Sequence, residues 1–136
     1  SNGEETPFFD LQLLGQVTKI VTRNLNCVID QTEYPIPQAR LSNELHRPMG
    51  IGVVGLADVF HLLGVSFDSE EAKQLNKDIF ETMYYHALEA SVDMAETEGP
   101  YSSYRGSPLS KGQFQFDLWR LNASSLSGRW DWEALR

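Results

Sequence analysis

The sequence holds a single cysteine, Cys27, among 136 residues, so an internal disulfide and a cysteine-built metal site are both excluded. It also lacks a long hydrophobic run. The longest nearly uninterrupted apolar stretch, 49–56, contains three glycines and falls far short of the ~20 residues of a membrane helix. Basic residues are scarce, with 11 Lys and Arg against 19 Asp and Glu and a formal charge of −8. No basic run tracks a phosphate backbone, which argues against nucleic acid as a partner. Ser1-Asn2-Gly3-Glu4-Glu5 lacks the basic start and apolar middle of a signal peptide and is the kind of short polar start an expression scar leaves. The expected setting is therefore reducing, intracellular and cytoplasmic. Asn122-Ala123-Ser124 spells a glycosylation sequon, which has mechanical meaning only in a secreted chain and is read as chance.

What remains is ordinary globular material, 41% hydrophobic and 22% charged with 10 Gly and 6 Pro. The length fits a single folding unit over 1–136. Leu11, Leu14, Val17, Val21, Leu25 and Val28 recur at helical spacing and predict a helix to about Ile29, capped by Asp10. Tyr34-Pro35-Ile36-Pro37 then reads as an ordered connector, because each proline removes a donor. The run 46–54 reads as a short strand feeding a helix over 56–63 that ends at Gly64.

Asp68-Ser69-Glu70-Glu71 has the spacing of a capping box, and a long helix is expected over 69–98, closed by Gly99-Pro100. Ala72, Leu75, Ile79, Met83, Ala87, Ala90 and Met94 form one stripe; Phe80, Tyr84, Leu88 and Val92 form a second. Further on, 113–118 reads as extended, before the aromatic end Trp130-Asp131-Trp132. The 30 residues of 69–98 span roughly 45 Å. A compact chain of this length is a sphere only about 37 Å across. A helix with two apolar stripes also needs neighbours on both sides. Both points imply a partial domain belonging to something larger, or an obligate assembler, with Ile79, Phe80, Met83, Tyr84 or Leu88 partly uncovered.

Several patterns suggest chemistry and fail on context. Gly50-Ile51-Gly52-Val53-Val54-Gly55 is a literal dinucleotide fingerprint, but no strand precedes it and 68–71 begins a helix where a ribose-binding acid should end a strand. The glycines are read as structural. His46, His61 and His86 stand apart from one another, without a second His or Cys at ligand spacing. Cys27 has no activating His or Lys beside it and reads as a buried or inert thiol. Glu89, Asp93, Glu96 and Glu98 read as a solvated face, and Tyr84-Tyr85 as packing residues.

Taken together, several strings resemble the large subunit of class I ribonucleotide reductase, in the C-terminal half of its barrel. They are Arg23-Asn24-Leu25-Asn26 with Asp30, Tyr34-Pro35-Ile36-Pro37, and His46-Arg47-Pro48-Met49-Gly50-Ile51-Gly52-Val53 with Gly55-Leu56-Ala57-Asp58. The likeness continues in Phe80-Glu81-Thr82, Tyr84-Tyr85, Ala87-Leu88-Glu89-Ala90-Ser91, Gly99-Pro100-Tyr101, Gly106-Ser107-Pro108, Ser110-Lys111-Gly112, Asp117-Leu118-Trp119 and Trp130-Asp131-Trp132. It covers about 17–136.

The resemblance implies a helix-dominated α/β slice of a ten-stranded α/β barrel, with 46–54 a barrel strand and 69–98 a helix packed outside it. It further implies an enzyme, a ribonucleoside-diphosphate reductase that makes deoxyribonucleotides for DNA synthesis through a cysteine radical. Its partners would be the remainder of the large subunit, a second large subunit and the small subunit. That family uses nucleotide effectors and a radical from its metal-containing small subunit; none of these is expected to be bound by this segment. Asn24-Leu25-Asn26-Cys27 imitates the thiyl motif Asn-x-Cys-x-Glu in the wrong register and without its Glu, at a position where relatives commonly carry Lys. His86 and Val54 stand where relatives usually have Gly and Gln, and Tyr84-Tyr85 matches a structural helix of the family. No catalytic, substrate-binding or metal-binding residue is carried over, and the isolated chain is expected to be inactive. The alternative is a reductase-derived module that has lost chemistry and presents helices to a protein partner.

Overall fold

α1 (Leu11–Gln31) starts where the sequence places it, with the Asp10 carboxylate accepting the Leu13 N–H at 2.9 Å. The computed structural model describes residues 7–121 and 125–136, so the polar start 1–5 and the sequon Asn122-Ala123-Ser124 lie outside the described residues. After α1 the prolines do more than connect. Pro37 opens a second helix, α2 (Pro37–His46), at the first helical position, where a missing N–H costs nothing and a fixed φ is already helical.

Among the described residues no strand forms. The run 47–54 passes from α2 to α3 (Leu56–Leu62) without regular structure. A strand exists through ladder bonds to a neighbour, and the described residues supply none. Gly55 at φ 78° caps the start of α3, and Gly64 at φ 68° lets the chain turn away after it. α4 (Glu70–Glu98) is capped by Ser69, whose Oγ accepts the Ala72 N–H at 3.1 Å. Asp68, the expected cap, instead accepts the Ser66 hydroxyl at 2.9 Å. The expected extended run 113–118 is a helical turn, α5 (Gln115–Leu118), because the Asp117 carboxylate takes the Phe114 N–H at 2.8 Å and bends the chain.

α1 and α4 form the principal contact and run parallel. Gly15 lies on His86, Lys19 pairs with Glu89 at 2.7 Å, and Arg23 pairs with Asp93 at 2.8 Å, so both partners advance together. Parallel helices require a return path along their length, which here is 32–69. The buried line of α1 is Gly15, Thr18, Thr22, Asn26 and Ile29, with Leu11, Leu14, Val21 and Leu25 of the apolar stripe half-buried beside it and Val17 and Val28 exposed. The threonine hydroxyls are satisfied within the helix, Thr18 on the Leu14 carbonyl and Thr22 on the Thr18 carbonyl, both at 2.8 Å. Along α4 the buried residues are Ala72, Ile79, Thr82, Met83 and Ala90. Small side chains on both surfaces let the backbones approach closely.

The opposite face of α1, with Leu13, Val17, Ile20 and Val28, is about half exposed. The second stripe of α4 finds its neighbours within the chain. Tyr84 and Leu88 pack on a cluster built around Phe114, Phe116 and Trp132. Phe80 stays 43% exposed while Ile79 and Met83 are buried. Other large apolar side chains are also left exposed, among them Val54, Leu62, Phe67 and Trp119.

Candidate functional site

The most ordered polar constellation joins three of the strings singled out in the sequence. At the C-terminal end of α2 the backbone of Arg47 turns left-handed, φ 44° and ψ 53°. Its guanidinium donates to both oxygens of Asp30 at 2.8 and 2.7 Å, a forked pair. Nε donates to the Asn26 Oδ1 at 2.7 Å, and a terminal nitrogen to the Asn26 carbonyl at 2.9 Å. Asn26 and Asp30 stand four apart on α1, one turn above the other. The hydrogen bonds from Arg47 hold the Asp30 carboxyl below its ordinary range, and Asp30 raises the guanidinium in return. Asp30 is therefore an acceptor and not a proton donor near neutral pH.

Beside this clamp lies a groove of about 680 Å³ between α4 and the start of the return path, lined by Met49, Ile51, Phe80, Met83, Tyr84 and Leu88 among others. His46 and the turn after α4 close one end, its Nδ1 lying 2.8 Å from the Ser103 hydroxyl while the Ser103 N–H donates to the Leu45 carbonyl at 3.0 Å.

A second junction holds α1, α4 and the C-terminal segment together. The His86 ring fills the space a Cβ on Gly15 would need, with ring atoms 2.2 and 2.3 Å from that position. His86 Nδ1 lies 2.8 Å from Glu89, which also takes Lys19, and the indole of Trp130 packs edge-on against the imidazole at 4.6 Å. Burial pushes the Glu89 carboxyl up, but the hydrogen bonds from Lys19 and His86 outweigh it and leave it lowered. Trp130 Nε1 is buried there without an acceptor. At the chain's end Asp117 is held low by the Phe114 N–H and by Arg136.

The three histidines are separated, with His46 ending α2, His61 in α3 and His86 in α4. Among the described residues no three His, Cys, Asp or Glu gather as metal ligands. Cys27 is exposed on α1, so of the expected alternatives, buried or inert, the buried one does not hold. Of the acidic cluster, Glu89 and Asp93 are ion-paired to α1, so that face is an interhelical seam as well as a solvated edge. Tyr84 accepts the Gln115 N–H at 2.9 Å, and burial raises the Tyr84 and Tyr85 hydroxyls, as suits packing residues. No helix among the described residues is long and apolar enough to cross a membrane.

Sequence reasoning quoted Asn26, Asp30 and Arg47 but did not join them. The available signal was two hydrogen-bonding side chains four apart on an apolar helix, facing an arginine that ends the next helix.

The site thus sits where two parallel helices, α1 and α4, meet the run 47–54, which has no strand partner among the described residues. A family model described as "Ribonucleotide reductase, barrel domain" matches residues 3–136, and the chain belongs to that family. It is 57% identical over 129 residues to the ribonucleoside-diphosphate reductase large subunit of Arabidopsis thaliana, which covers 95% of this chain and 15% of that protein. The large subunit of Acanthamoeba polyphaga mimivirus is 53% identical over 133 residues, covering 98% of this chain and 15% of the relative. That of Caenorhabditis elegans is 56% identical over 128 residues, covering 94% and 16%. The chain thus spans about 15% of the length of the curated relatives it matches.

Proposed function

We propose that this chain is a barrel segment of a ribonucleoside-diphosphate reductase large subunit, and that it contributes scaffold to ribonucleotide reduction without contributing a reacting group. The observation that carries this reading is the match of the barrel family over 3–136. Its geometry agrees. In an α/β barrel successive helices run parallel outside the strands that join them, and α1 and α4 run parallel around a return path. On this reading the barrel strand is 48–54, with His46 and Arg47 ending α2 before it and its neighbours in the rest of the subunit, and 1–136 is one partial domain.

The remaining partners are the rest of the large subunit, its second copy and the small subunit, in the cytoplasm. A radical from the metal-containing small subunit would supply the oxidising chemistry in the complete enzyme. The described residues offer no donor set for that metal, so no step is assigned to them.

A segment exchange tests the reading. Replacing the matching residues of the Arabidopsis subunit with this chain should give a folded chimera that reduces ribonucleoside diphosphates, with small subunit and dithiol supplied. A folded chimera without turnover would refute it. The 136-residue chain alone should turn over nothing, since one cysteine cannot serve as both radical carrier and reducing pair.

A further inference from the structure

Arg47 carries two backbone penalties at once. It is a non-glycine residue with positive φ, and it precedes Pro48, whose ring disfavours helical geometry in the residue before it. Such a conformation persists only where its surroundings over-determine it, and here four hydrogen bonds to Asn26 and Asp30 do so. The strain sits at the one point where the chain leaves α2 and enters the 48–54 run.

That run has two unlike sides. Met49 and Ile51 line the groove against α4. Nothing lies within 4 Å of where a Cβ would stand at Gly50 or Gly52, and Val54 is fully exposed. In a strand, alternate side chains face opposite ways, so a slip of one residue exchanges the two sides completely. The helices occupy the Met49 and Ile51 side. In a barrel the other side is the interior.

We infer that Arg47 is a positioning residue of the reductase barrel: its clamp on Asn26 and Asp30 fixes the origin of the 48–54 strand, so that Gly50 and Gly52, and not Met49 and Ile51, face the barrel interior. The inference rests on the reading given under Proposed function. Released from the clamp, the strand start shifts and puts bulky side chains into space that the glycines leave open. The fork is specific to arginine, because a lysine ammonium cannot reach both Asp30 oxygens and Asn26 together.

The test uses the complete large subunit with its small subunit. Arg47→Lys should lower kcat about 10–100-fold, the scale of a misplacement remote from the chemistry, while KM stays within about two-fold. Arg47→Ala should lower it at least as far, and Arg47→Ala with Asp30→Ala no further, because one removal already opens the clamp. Gly52→Val, with the clamp intact, should also lower kcat while leaving the melting temperature in place. Arg40→Ala, which breaks the exposed 3.6 Å pair with Glu44 and the guanidinium contact over the Tyr34 ring at 5.9 Å but leaves the clamp intact, should turn over like wild type. Wild-type kcat in Arg47→Lys, or in Gly52→Val, would overturn the proposal, as would a loss of kcat that follows only the loss of folded protein.

Hydrogen exchange at 49–53 should speed up in Arg47→Lys, and unchanged exchange there would overturn the clamp even in a subunit that does not turn over. Failure of the function reading is seen separately, in the wild-type subunit's own turnover.

Discussion

Replacing Gly15 by alanine sets two effects of known sign against each other. Alanine is favoured over glycine inside a helix by about 1 kcal/mol. Against this, a Cβ at Gly15 would stand 2.2 Å from the His86 Cδ2 and 2.3 Å from Nε2, so the ring must move. The ring has little freedom, being hydrogen-bonded to Glu89 at 2.8 Å and flanked by Tyr85 and Trp130 at 5.2 and 4.6 Å between ring centres. Overpacking of this kind costs about 1–3 kcal/mol, so Gly15→Ala should be neutral to destabilising by about 2 kcal/mol. The sharper test is the sign in a second background. With His86→Ala the obstruction is gone, and Gly15→Ala should stabilise by about 1 kcal/mol. Hydrogen exchange of the α1 amides, read by mass spectrometry, measures both values without requiring the whole chain to unfold reversibly. An equal effect of Gly15→Ala in the two backgrounds would refute the contact as the cause.

Asp30, Glu89 and Asp117 all have folded-state carboxyls below the ordinary range. The stability they contribute is complete above the unfolded values near pH ~4 and is lost as pH falls through the folded values, so melting temperature should drop on acidification below that point. A melting temperature that is flat or rises there contradicts the clamp and the seam. Cys27→Ser should leave activity of the complete subunit unchanged and stability within about 0.5 kcal/mol, because the thiol is exposed; a larger change in either measurement argues against that. The isolated chain should self-associate through Leu13, Val17, Ile20 and Val28, and Val17→Lys with Ile20→Lys should reduce that in sedimentation experiments. A wild-type chain already monodisperse as a monomer would sink this expectation.

The long helices were legible because their signals are local. Asp10 and Gly99 act within a turn of themselves, and the cap Ser69 lies next to the expected Asp68, so α1 and α4 end within two residues of the expected places. α2 was missed because Pro37 reads as a breaker from one side and as an opener from the other, and only the following residues decide which. The strand over 46–54 depends on partners. Its composition is β-like, yet composition without ladder bonds leaves it unpaired among the described residues.

The face of α1 shows why an apolar stripe does not by itself name a contact. Periodicity marks where a helix is greasy, whereas close approach of two helices selects residues that are small. Gly15, Thr18 and Thr22 carry little hydrophobicity, but with hydroxyls satisfied inside the helix they admit α4 more closely than leucines would. The greasier face, with Leu13, Val17, Ile20 and Val28, is left about half exposed. Arg47 completes the same logic from the other end, since its guanidinium reaches across to α1 beside the small-residue seam and ties the return path to it. The half-exposed face of α1 and the groove beside α4 are therefore separate surfaces, since the groove is bounded on α1 by Thr22, Asn26 and Asp30, and Met49 and Ile51 tie the unpaired run 47–54 to the groove.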